Sequence, residues 1–422
     1  MSRKMSTITL SFQKLLTSKS LLLKARLKER AFTRQRKLGF VNLIGILLNS
    51  PTRSIQTELY GFFDYVLRKE DISVTKAAFS KARQLLNPDV FRILSDDVVH
   101  SFYGDGEFET FHGYRILAVD GTSLELPNLK LLKNTFGHIG DANQTVRACG
   151  SILYDINNHI VIDSILAPYR EAERKLLKQH LVKLKEIGYQ KELLLYDRGY
   201  PSKELMAYHF EEGLSFVMRS KNGFLEKKHP YKGDRDKQIS FEINQKKYEV
   251  RKVEFLLSSG ETEHLVTSLM EEEVELLKQL YWMRWGIETE YDILKNTLQI
   301  ENFSGYSELA IKQDFYAGIC MNNLAAGMIY DYNHKEIAEE EKTCMEQTKY
   351  VYKINRNELY GLLKNKLIEA ILEENEEEKG RIFERILKRM EKNLVPVRAR
   401  ARTERKKKLG GIKYPPNKRK SL

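Results

Sequence analysis

Between Glu271 and Leu298 the apolar positions Leu280, Met283, Ile287, Tyr291, Leu294 and Leu298 recur in steps of three and four residues, the period of a helix. At about 100° per residue they share one side, and Tyr281, Arg284, Glu288, Asp292 and Lys295 form a narrow ionic stripe beside it. The ionic face therefore lies at the edge of a core. Arg284 and Glu288 form an ordinary i,i+4 pair, but Glu288 and Asp292 are like charges at the same spacing and repel unless a cation sits near them. Glu290 points roughly 160° away from Glu288, on the side away from Arg284 and Lys295.

The remaining pattern divides the chain. From Ser18 to about Leu94 the period is helical, closed by Asn87 and Pro88. Thr75, Lys76, Ser80, Lys81 and Arg83 cluster in the last of these helices, a composition that suits phosphate contacts or an ordinary exposed helix face. From Tyr114 the period turns to strands: YRILAVDGTSLELP, then RACGSILYDINNHIVIDSILAPY as two strands turning at Asn157-Asn158. A helix (EAERKLLKQHLVKLKEIGY), a strand running into a helix (KELLLYDRGYPSKELMAYHFEEG) and a fifth strand (LSFVMRSK) follow. Asp120 and Asp197 both stand where an apolar strand is expected to stop, and in open α/β sheets functional groups collect at such ends. Residues 221–270 alternate in short runs that predict a small β insertion. Residues 302–332 predict one or two buried helices covering the sheet. Polar helices with acidic runs follow, and then an arm too poor in apolar residues to fold alone.

The 422 residues are 42% apolar, enough for two or three domains with cores. No apolar run approaches the roughly 18 residues of a membrane span. Cys149, Cys320 and Cys344 lie far apart, which predicts neither a disulfide framework nor a CxxC zinc pair and fits a reducing, intracellular setting. His138, Cys149 and the other histidines show no ligand spacing, so zinc is not implied. Charge is distributed unevenly. Residues 1–40 hold eleven Lys/Arg against Glu29, and residues 397–422 hold eleven against Glu404, so each end carries +10 and the remainder −8 of the total +12. An acidic body with two basic arms reads as a polyanion binder whose centre uses carboxylates for another purpose. The acid-poor N-terminus also has the composition of a transit peptide, but it leads straight into helical sequence.

Tyr281, Arg284, Glu288 and Lys295 have the spacing Y-x2-R-x3-E-x6-K. With LAVDGT around Asp120 and LLLYDRGY around Asp197, the chain resembles the DDE transposases of the insertion-sequence-four family with their YREK signature, over roughly Phe79 to Met328. The resemblance implies an α/β fold: a ribonuclease-H-like mixed sheet with flanking helices, a β insertion before the glutamate-bearing helix and a helical N-terminal domain. It implies Asp120, Asp197 and Glu288 as the catalytic and metal-binding triad, with Tyr281, Arg284 and Lys295 as DNA-end contacts. By analogy Arg198 touches phosphate or forms a structural ion pair. The expected domains are 1–105 (helical, DNA-binding, with a basic arm), 106–220 with 271–335 (catalytic core), 221–270 (β insertion) and 336–422 (helical, with a basic tail).

In-line displacement at phosphorus needs such residues. Three carboxylates offer hard oxygen ligands to two Mg²⁺ ions about 3.5–4 Å apart, for which Mn²⁺ can substitute. The implied partners are double-stranded DNA, as terminal inverted repeats and target, and a second copy of the chain in the assembled complex. The implied location is the cytoplasm, associated with the nucleoid. Relatives that pass through a hairpin stack a flipped base on an aromatic of the insertion, commonly Trp. Here Trp282 and Trp285 are instead in the signature helix, and Phe255 is the nearest candidate in the insertion. A catalytically inactive DNA-binding regulator and a nuclease of the same fold are the rival readings.

Overall fold

The computed structural model describes residues 3–34, 36–49, 53–141, 144–188, 190–334 and 352–396. The basic tail at 397–422 and residues 336–351 of the expected C-terminal region lie outside the described residues. Six helices come first: α1 (Arg3–Leu16), α2 (Lys19–Ala25), α3 (Phe40–Leu48), α4 (Ile55–Gly61), α5 (Lys76–Arg83) and α6 (Asp89–Tyr103). Strand β1 (Arg115–Glu125), helix α7 (Lys130–Phe136), β2 (His138–Ile139), β3 (Thr145–Asp155) and β4 (Ile160–Pro168) follow. Then come α8 (Glu173–Ile187), β5 (Glu192–Tyr196), α9 (Lys203–Glu212), β6 (Ser215–Arg219), β7 (Arg235–Ile243), β8 (Lys246–Leu256) and β9 (Thr262–Thr267). Helices α10 (Val274–Met283), α11 (Trp285–Asp292) and α12 (Glu308–Asn333) come next. Two further helices, Arg356–Leu372 and Glu376–Glu391, end the described chain.

These elements form two compact units. One comprises Glu107–Leu124 with Ala148–Tyr291, and the other Met1–Gly106, Glu125–Arg147 and Asp292–Leu422. In the first, the strand order is β4-β3-β1-β5-β6. The β1–β5 and β5–β6 pairs are parallel, and β3–β4 is antiparallel. Every residue of β5 is buried, which explains why ELLLY shows no alternation: a central parallel strand is covered on both faces. The mixed α/β sheet with flanking helices is thus present. The inserted strands do not stand apart from it. β6 pairs antiparallel with β9, and β8 and β7 extend the same sheet. Helix α8 buries Leu176, Leu177, Leu181 and Leu184, and α9 starts where Ser202 Oγ accepts from Leu205 N.

Strand β1 corrects one expectation. Asp120 does not end the strand, which runs on to Glu125. Only the parallel ladder with β5 stops, at Ala118 opposite Leu195, because β1 continues as a neighbour of β3. Asp197 does follow the last residue of its strand.

The helical unit corrects two more. The basic N-terminal arm begins as helix α1, because Met5, Ile8, Phe12 and Leu16 make an apolar stripe that is buried. Its first turn is capped by Asp331, whose carboxylate accepts from Lys4 N at 3.2 Å and Met5 N at 2.7 Å. Helix α12 packs against α1, α3 and α6 within this unit. It is a member of the helical bundle. Arg83 is withdrawn from any phosphate: it is buried, 2.9 Å from Asp314, and donates to Gln313, Ser304 and the Ala310 carbonyl. Lys76 and Lys81 stay exposed.

Candidate active site

The sheet unit gathers its carboxylates around one arginine. Burial pushes Asp120 up to about 6. The Gly121 N–H, 2.8 Å from Oδ1, and the Arg284 charge oppose this rise, while Asp197 and Glu173 add to it. Asp197 accepts from the Tyr281 hydroxyl at 3.3 Å and lies 3.9 Å from Arg219 Nη1. Arg219 in turn donates to Glu263 at 2.7 Å. Arg284 is buried, with Nη2 donating to Glu288 Oε1 at 3.1 Å and its guanidinium lying over the rings of Tyr281 and Trp285 at 5.6 and 5.2 Å. Burial pushes the Tyr281 hydroxyl up to about 12, so it stays a neutral donor to Asp197.

Helix period explains why α11 separates its two glutamates. Glu288 keeps a side chain 42% exposed, whereas Glu290 is fully buried and accepts from the Tyr154 hydroxyl at 2.8 Å. The expected divergence of the two is present, but the side on which Glu290 points is core. Gly286 allows this close approach, since a Cβ there would lie 2.8 Å from Ile156 Cγ2.

The structure brings Asp120, Asp197, Tyr281, Arg284 and Glu288 into one region of the sheet unit. Arg198 is exposed, and the described residues offer it neither a hydrogen bond nor an ion pair. Lys295 belongs to the helical unit, half-buried in a π-helical turn, Ile293–Thr297. Sequence reasoning missed Arg219, although it stands at a strand's carboxyl end like Asp197 and the same rule would have found it. It also missed Glu173, in the first turn of α8, and Tyr291, which gives no sequence signal beyond a core position. Phe255 is not free to stack on a base: it is buried, with Lys278 5.1 Å from its ring centre. Trp282 and Trp285 are 72% and 46% exposed.

Among the described residues no three His, Cys, Asp or Glu side chains converge tightly enough to hold a metal. The donor chemistry nevertheless fits a hard divalent cation. Asp120 resists charging because it is buried beside other carboxylates, and a bound cation reverses that cost. Among the described helices none is long and apolar enough to cross a membrane.

No curated protein sequence matches the chain. Among solved structures, the cryo-EM structure of a piggyBac transposase synaptic complex with hairpin DNA is similar at 11% identity and a TM-score of 0.46, covering 90% of this chain and 85% of that one. The family model described as the transposase DDE domain matches residues 111–324, from the turn before β1 into α12. Since that match takes in half of the sequence, including both aspartates and helices α10 and α11, the chain belongs to the DDE transposase family of DNA-cleaving, strand-transferring enzymes.

Proposed function

We propose that Asp120, Asp197 and Glu288 are the catalytic carboxylates of a cut-and-paste transposase of the insertion-sequence-four type, acting on the ends of its element and joining them to target DNA. The observation that supports this best is the arrangement around Arg284, which is ion-paired to Glu288 and acts electrostatically on Asp120. Asp120, Asp197 and Glu288 would hold Mg²⁺ or Mn²⁺, which stabilises the entering and leaving oxygens of an in-line displacement when bound. Exposed Arg198 and half-buried Lys295 are assigned to DNA phosphates, as arginine and lysine suit that role, whereas Tyr281 and Arg284, which the resemblance also makes DNA contacts, are buried against Asp197 and Glu288 and act through those carboxylates. The exposed cations Lys19, Lys24, Lys28, Arg30, Arg34, Arg36 and Lys37 support a DNA-binding role for the N-terminal region, within the proposed domain 1–105. The other proposed divisions are a core of 106–220 and 271–335, an insertion of 221–270 and a C-terminal region of 336–422. A homodimer on DNA, in the nucleoid, completes the proposal.

Two glutamine substitutions test it. Glu288→Gln removes a metal ligand at nearly constant shape, so cleavage of DNA carrying the sequences that flank the gene should vanish while gel-shift binding persists. Glu290→Gln should lower thermal stability and leave cleavage by the folded fraction within a few-fold of wild type. Full activity in Glu288→Gln would overturn the assignment. A labelled 3′-hydroxyl end that is cut but never joined would identify a nuclease of the same fold.

A further inference from the structure

Next to the strand that carries Asp120 lie three buried polar side chains that strand cleavage does not use. Asp163 comes from β4, His180 from α8 and Ser151 from β3, with exposures of 7%, 0% and 2%. Asp163 Oδ2 accepts from His180 Nδ1 at 2.7 Å, and His180 Nε2 lies 2.9 Å from Ser151 Oγ. Ser151 Oγ in turn donates to the main-chain carbonyl of Asp120 at 3.3 Å. The hydroxyl of Tyr291 donates to the same carbonyl at 2.7 Å and lies 3.2 Å from the Gly150 carbonyl. Two hydroxyls, one from β3 and one from α11, thus converge on a single peptide oxygen.

The order Asp-His-Ser is that of a hydrolytic triad, but the surroundings exclude acyl transfer. In such triads the serine hydroxyl must reach a substrate carbonyl, and the histidine must pass its proton to a leaving group. Here the hydroxyl is buried and faces a peptide of its own chain. A positioning role fits instead. A buried imidazole and carboxylate are costly unless every polar atom is satisfied, and apolar side chains would fill the same space without that constraint. A satisfied polar chain specifies one arrangement where an apolar contact would tolerate several. Asp163 orients the imidazole, the imidazole fixes the place of Ser151 Oγ, and Ser151 Oγ with the Tyr291 hydroxyl packs on the Asp120 carbonyl. The peptide in question is beyond the end of the ladder with β5, where β1 has lost that partner.

We propose that Asp163, His180 and Ser151 are positioning residues that hold the Asp120 peptide, and through it the Asp120 carboxyl, in place for the cation. This rests on the reading of Asp120 as a catalytic carboxylate. Ser151→Ala deletes one oxygen, and His180→Gln keeps a polar group while breaking the link to Asp163. Both, and the double variant, would be compared with wild type for Mn²⁺ binding to the free protein by electron paramagnetic resonance. Gel-shift affinity, single-turnover cleavage at saturating DNA and melting temperature complete the set. The expected result is a Mn²⁺ affinity lowered three- to tenfold and a cleavage rate lowered about tenfold in each single variant. DNA affinity should stay within twofold, and the double variant should be no worse than the weaker single one, since the three residues act as one unit. Wild-type Mn²⁺ affinity in Ser151→Ala would overturn the proposal. So would losses that multiply in the double variant, or DNA affinity falling in step with cleavage. Asp120→Asn is the control for the underlying reading: if it cleaves like wild type, the assignment of Asp120 fails, whatever the relay variants do.

Discussion

Asp120 is a carboxyl group whose surroundings oppose its charge. Its ordinary value is 3.8, and burial raises it to about 6. The folded protein therefore holds this proton more tightly than the unfolded chain does. That contribution to stability is fully present below about pH 4 and is lost as pH rises through 6. A shift of that size corresponds to at most about 3 kcal/mol. Asp120→Asn should therefore melt higher than wild type at pH 7 and match it near pH 4, and added Mg²⁺ should raise wild type alone. A melting difference that does not change with pH would show that burial does not govern this group. Cleavage by wild type should rise with pH through the same window, because the cation requires the carboxylate.

At the scale of elements, α11 depends on how closely it can approach the turn between β3 and β4. Gly286→Ala places a Cβ 2.8 Å from Ile156 Cγ2, so overpacking of about 1–3 kcal/mol opposes the gain of about 1 kcal/mol that alanine brings to a helix. The single variant should lose activity as well as stability, since Glu288 is two residues further on. Adding Ile156→Ala should restore part of both, and no rescue would mean that the contact is not what matters. Helix α5 offers a second contrast. Arg83→Ala leaves Asp314 in a largely buried site without its partner, which costs about 3–5 kcal/mol, and should destabilise without altering DNA affinity of the folded protein. Lys81→Ala, on the exposed side of the same helix, should leave the melting temperature within about 1 °C, as surface substitutions cost less than roughly 0.5 kcal/mol. If Arg83→Ala melts like wild type but binds DNA weakly, the burial argument fails.

For the whole molecule, the charge is divided between basic ends and an acidic remainder. Each phosphate neutralised on duplex DNA contributes about 0.9 to the slope of log K against log salt. Deleting residues 397–422, with eleven cations and one acid, should flatten that slope by several units on any duplex. Replacing Lys28, Arg30, Arg34 and Lys37 by alanine should flatten it by up to about 4 if each meets a phosphate. An unchanged slope in both would leave the basic ends without a role on DNA.

The sequence by itself determined the parts that depend on local order. Strand and helix periods placed β1, β3 to β6 and α8 to α11 and aligned Tyr281, Arg284 and Glu288 on one helix face, because alternation and the 3.6-residue turn are properties of neighbours along the chain. Helix geometry alone also separated Glu288 from Glu290. Tertiary structure decided which side of that helix is core, and so made Glu290 a buried acceptor of Tyr154 where sequence allowed a surface acid. It also turned the basic start of the chain into α1, enclosed Arg83, covered Phe255 and joined the insertion to the main sheet through β6 and β9. Each of these depends on a partner remote in sequence. The Asp163, His180 and Ser151 relay is the clearest case: its members come from β4, α8 and β3, no spacing links them, and only the packing of helix on sheet brings an imidazole between a carboxylate and a hydroxyl.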